Sequence, residues 1–116
     1  MLKRSSGSVK VFYRPYSREQ LVKRLREALP ALADQLPIRR VVLFGSWATD
    51  RATAFSDVDI LVVHAGAPQA DAYTVVRRAF AVRGVEPHVY TEAEAELLRP
   101  SLDRMSNPGI DLLAGA

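Results

Sequence analysis

The chain has 116 residues, of which 48% are hydrophobic and 25% charged, and a formal net charge of +3. That composition and length fit one globular domain, which buries roughly two thirds of its unfolded surface. No apolar run approaches the ~20 residues that cross a bilayer, and the basic start "MLKRSSGSVK" lacks the apolar core of an export signal. With no cysteine, disulfides and thiolate metal sites are excluded, and a reducing cytoplasm fits.

Residues 1–8 read as a flexible start, followed by a single domain over 9–116. Within it, "VKVFYRPY" alternates Val9, Val11 and Tyr13 against Lys10, Phe12 and Arg14, the pattern of an edge strand ended by Pro15. Ser17 and Gln20 form a capping box that opens a helix. Leu21, Leu25, Ala28, Leu32 and Leu36 follow at helical spacing, and Pro30 should kink or divide it. Lys3, Arg4, Lys10, Arg14, Arg18, Lys23, Arg24 and Arg26 precede residue 27 against the single acid Glu19. Such a basic end is either a solvated helix face and tail or a surface for RNA, nucleotide phosphates or an acidic protein.

Val41–Phe44 is a second strand, ended by Gly45. After a polar connection, "DVDILVV" is a third, apolar on both faces beyond Asp59 and hence covered on both sides. Ala72, Val75, Val76, Ala79 and Phe80 then make one helical stripe, with Gly84 as its stop. "VEPHVY" is a further strand, placed parallel to the "DVDILVV" strand by the length of its helical crossover. Thr91 and Glu94 form another capping box, for a last helix that carries Leu97, Leu98 and Leu102 and is interrupted at Pro100. "SNPG" turns the chain into a short apolar tail. The order predicts an α/β or α+β fold with a mixed sheet.

The chemistry concentrates in "LFGSWATDRATAFSDVDILVV". Alternation on a strand puts Asp57 and Asp59 on one face, with Cα atoms roughly 6.5 Å apart. Two carboxylates so close repel unless a proton or cation separates them, and a hard divalent ion, Mg2+ or Mn2+, resolves the conflict. Alone, the pair reads first as a turn cap and a solvated strand end. Gly45-Ser46 adds a sharp turn that lets backbone approach a ligand and, if a short helix starts there, offers free N–H groups to an anion. Alone, it too is an ordinary turn. No P-loop, serine-nucleophile elbow or EF-hand pattern is present.

Taken together, an anion-binding turn and an acid pair suit a metal–nucleotide complex. The stretch resembles the G-S-x(n)-S-D-x-D signature of the minimal nucleotidyltransferases, small members of the DNA polymerase β-like superfamily. The likeness runs from about Val9 to Ala114 and includes "VFYRPYSREQL" and "VEPHVYTEAE" in order. It implies a mixed-sheet fold with helices packed on it. Ser46 would contact the nucleotide's phosphates, Gly45 would permit that approach, and Asp57 and Asp59 would ligate the metal. Glu86 stands where the family more often has a third, aspartate ligand, and adjacent strands about 4.8 Å apart would let it close the site. His88, two residues on, is either a packed histidine or a site residue. Asp50 occupies a position where the family often has glycine. Arg51 either reaches a phosphate or is solvated, and Trp47 either stacks a base or joins the core.

The implied reaction moves a nucleoside monophosphate, AMP from ATP foremost, onto a hydroxyl. Larger relatives grip the acceptor with a further domain, and this chain has no residues left for one. The resemblance therefore implies a homo- or hetero-oligomer or a protein acceptor, with a HEPN-domain toxin as leading partner in a toxin–antitoxin pair. A binding-only antitoxin module and transfer to RNA or a small molecule are the alternatives.

Overall fold

The computed structural model describes residues 15–114; the expected first strand, the basic residues Lys3, Arg4, Lys10 and Arg14, and the start over 1–8 lie outside them. Helix α1 (Arg18–Gln35) leads to strand β1 (Ile38–Phe44), a single 3₁₀ turn (Gly45–Trp47) and strand β2 (Val58–His64). Helix α2 (Ala72–Phe80) crosses to strand β3 (Val85–Thr91), followed by α3 (Glu92–Leu97), α4 (Arg99–Met105) and the two-residue strand β4 (Ile110–Asp111).

Both capping boxes form. Gln20 N donates to Ser17 Oγ at 3.1 Å and Ser17 N to Gln20 Oε1 at 2.7 Å; Thr91 and Glu94 repeat the exchange at 3.1 and 2.9 Å. Each satisfies two N–H groups that a helix start leaves open.

Pro30 does not divide α1, which continues past it as one helix. Pro30 is exposed while Leu29 and Leu32 are buried, so packing carries the helix past a bond lost on its solvent side. Helix α2 also ends earlier than Gly84: Ala81 takes a left-handed conformation (φ +50°) and closes onto the carbonyl of Arg77 at 3.3 Å. Gly84 instead turns the chain into β3, with φ +81°. Pro100 does divide the last helical segment, at the start of α4. Leu97 and Leu98 point outward there, and only Leu102 of the three joins the core.

The four strands form one mixed sheet in the order β3-β2-β1-β4. β2 and β3 are parallel, as the crossover requires, and β1 is antiparallel to both β2 and β4. The tail after "SNPG" is thus a strand rather than a loose end: Leu112 is fully buried, and Arg26 of α1 donates to the carbonyls of Asp111, Leu112 and Ala114 at 3.2, 3.2 and 2.8 Å.

Side-chain alternation splits the core across the sheet. Val41, Leu43, Ile60 and Val62 pack against Leu21, Leu25, Val76 and Phe80 of α1 and α2. Val42, Phe44, Leu61 and Val63 pack on the other face with Leu102 of α4. Asp59, two residues before Leu61, shares the α4 face, as do Glu86 and His88 on β3. No helix among the described residues is long and apolar enough to cross a membrane.

Candidate active site

Three strands deliver the site at one end of the sheet. Phe44, the last residue of β1, pairs with Asp59 on β2, and Asp59 pairs in turn with Glu86 on β3. Gly45 follows Phe44 at φ +76°, a left-handed conformation that glycine adopts at no steric cost. The same residue has a second reason to be glycine. A Cβ built on it would stand 2.6 Å from Asp59 Oδ2, so the carboxylate occupies the space a side chain would take. The structure therefore brings the Gly-Ser turn and Asp59 into direct contact.

Ser46 is half-buried within the 3₁₀ turn; no longer helix starts there, so the turn is a tight backbone corner rather than a helix end. The carbonyl of Ser46 accepts from Arg51 N at 2.8 Å and Thr49 Oγ1 at 3.3 Å, which folds the following loop back over the turn. Arg18 reaches across from α1 to the carbonyl of Ala48 at 3.0 Å and braces the same loop. Asp50 sits at φ +60°, which explains why a glycine suits this position; aspartate is among the few other residues that tolerate it. Arg51 is exposed. Trp47 is buried at 2% exposure, with its ring 5.6 Å from Tyr16, and belongs to the core rather than to a base-stacking surface.

The three acids are not gathered equally. Asp57 precedes β2 and is exposed, in a hollow lined also by Tyr16, Trp47, Phe55 and Arg83. Asp59 is 27% exposed, and its Oδ1 lies 3.3 Å from His88 Nε2. Glu86 stands beside Asp59 in register, but its Oε2 accepts from the Tyr73 hydroxyl of α2 at 3.3 Å. With Asp59 turned to His88 and Glu86 to Tyr73, no group of three or more His, Cys, Asp or Glu among the described residues is placed to hold a metal ion. The donor chemistry nonetheless fits a hard divalent cation: carboxylate oxygens from adjoining strands, one of them set against a glycine where nothing else can stand. His88 and Tyr73 are the neighbours that sequence reasoning left unassigned or missed. A polar residue two positions beyond Glu86 was the signal for the first; nothing local marked the second.

A mixed sheet with helices on both faces, carrying a strand-end glycine turn against an acidic strand start, is the architecture of a nucleotidyltransferase fold. Residues 22–106 match the model of the nucleotidyltransferase domain family, and the chain belongs to that family. The resemblance to the minimal nucleotidyltransferases read from the motif is thereby borne out. Among solved structures, a presumed nucleotidyltransferase from Sulfolobus solfataricus shares the fold, with a TM-score of 0.57 and 24% identity over 81% of this chain and 80% of that one. No curated protein matches the chain at a significant level.

Proposed function

We propose that this domain transfers AMP from ATP to a hydroxyl of a HEPN-domain partner protein, as the antitoxin of a cytoplasmic toxin–antitoxin pair. Family membership supports nucleotidyl transfer as the chemistry, and the contact between Gly45 and Asp59 carries the assignment of the site. It puts an acid and a phosphate-approach turn within touching distance, which a solvated strand end has no reason to do.

In this reading Gly45 lets the backbone come close to the triphosphate, Ser46 donates its hydroxyl to a phosphate oxygen, and Arg51 is free to swing toward the same charge. Asp57 and Asp59 would hold Mg2+ or Mn2+, with Glu86 as a third ligand once its carboxylate leaves Tyr73. A bound cation would neutralise charge on the α-phosphate and the leaving group. The acceptor oxygen forms a bond to the α-phosphorus, the bond to the β-phosphate's bridging oxygen breaks, and pyrophosphate departs. The acceptor's proton passes to a carboxylate, for which Glu86, exposed at the sheet edge, is the available base.

The test is incubation of the protein with α-labelled ATP, Mg2+ and a HEPN-domain protein encoded beside it. Label on the partner supports the proposal. Tight complex formation without label supports a second reading, a binding-only antitoxin, which the dispersed carboxylates favour. Transfer to RNA draws less support: Arg18, Arg24 and Arg26 of the basic α1 serve the fold, on the Ala48 carbonyl, the Tyr16 ring and the C-terminal carbonyls.

A further inference from the structure

The side chain of His88 is placed with more care than a surface histidine needs. By register it stands opposite Leu61, yet its ring leans back along β2 so that Nε2 comes within 3.3 Å of Asp59 Oδ1. An ionised carboxylate offers only acceptors, so Nε2 carries the hydrogen of this bond. Phe44, buried on β1, meets the imidazole edge-on with ring centroids 5.0 Å apart and planes at 62°, which fixes the ring from the side. His88 and Asp59 are 29% and 27% exposed, so the pair is mostly shielded from competing water.

The two oxygens of Asp59 therefore have different surroundings. Oδ1 takes the His88 N–H, while Oδ2 lies where only a glycine backbone leaves room. The terminal torsion of an aspartate is otherwise broad, so a free carboxylate samples many orientations and must lose them on binding. We infer that His88 is a positioning residue that pins Oδ1 of Asp59, so that the carboxylate meets a divalent cation in one preset orientation. This rests on the proposed reading of Asp59 as a metal ligand and adds a residue to it. Hydrogen-bonded outer partners of this kind typically set metal affinity within about 10–100-fold.

Manganese alone is the probe, with free Mn2+ followed by electron paramagnetic resonance against the purified full chain, no nucleotide present. His88→Ala should weaken Mn2+ binding by about tenfold or more, while its melting temperature stays near that of the parent. His88→Gln, which keeps an N–H donor on a similar reach, should recover most of the loss. An unchanged Mn2+ affinity in His88→Ala, with Asp59→Asn abolishing binding, overturns the role of His88 and leaves the metal site standing. Equal weakening in both His88 variants, matched by equal loss of melting temperature, shows a packing role and overturns it too. Failure of the parent chain to bind Mn2+ any better than Asp59→Asn overturns the reading beneath it.

Discussion

Replacing Gly45 with alanine probes the site through the fold itself. Two costs add. The left-handed backbone at φ +76° penalises any Cβ by about 1–2 kcal/mol. The new methyl also meets Asp59 Oδ2 at 2.6 Å, well inside van der Waals contact, so the carboxylate must rotate away. Doing so breaks its bond with His88, worth about 1 kcal/mol or somewhat more for a charged acceptor. The sum is about 2–3 kcal/mol, or roughly 8–15 °C in melting temperature for a domain of this size. Gly66 supplies the control: its φ is +86°, and nothing lies within 4 Å of a Cβ built there. Gly66→Ala should therefore show the backbone cost alone. Thermal melts of both variants, with Mn2+ affinity measured alongside, separate the terms. If Gly45→Ala loses no more stability than Gly66→Ala and binds Mn2+ as the parent does, the carboxylate does not depend on that space and the reasoning fails.

Asp57→Asn and Asp59→Asn should each reduce nucleotidyl transfer by at least about 100-fold, the scale of losing an electrostatic contact to the reacting phosphate, while circular dichroism stays that of the parent. Full activity in the double variant would remove both residues from the site. Ala81→Gly should raise stability by about 0.5–1 kcal/mol in a denaturant titration, since it relieves a left-handed alanine at the end of α2; a loss would mean that the helix end is held by something other than its backbone. Arg26→Ala removes three bonds to C-terminal carbonyls and should cost about 1–2 kcal/mol. Hydrogen exchange over residues 110–114 should quicken selectively; uniform quickening across the sheet would contradict a local clamp.

What could be read in advance was whatever depends on neighbours in sequence. Ser17 with Gln20, and Thr91 with Glu94, lie three residues apart and satisfy each other, so tertiary structure had nothing to add. The parallel pairing of β2 with β3 followed from the length of the crossover. That Pro30 would leave α1 undivided was not legible, because its effect depends on which side of the helix it faces, and Leu29 and Leu32 decide that through packing. The tail escaped notice as a strand because two residues carry no period; β1 and Arg26 supply its order. At the site, the D-x-D spacing marked the acids, but not that Asp59 would fill the missing side chain of Gly45. Nor could spacing show Tyr73 and His88 taking hold of separate carboxylates, since each contact crosses between elements.

The guanidinium that fastens the chain's end to α1 has a broader corollary. Its acceptors are main-chain carbonyls, present whatever residue stands there, and arginine stays charged at every pH a protein survives. The Arg26 contacts by themselves thus leave the choice of residue open, as at the exposed Ala114. Asp111, whose Oδ1 accepts from the N–H groups of Leu113 and Ala114 at 3.0 and 3.3 Å, and Leu113, packed against the core, are instead fixed by contacts of their own. It is a clasp that reads backbone and ignores spelling.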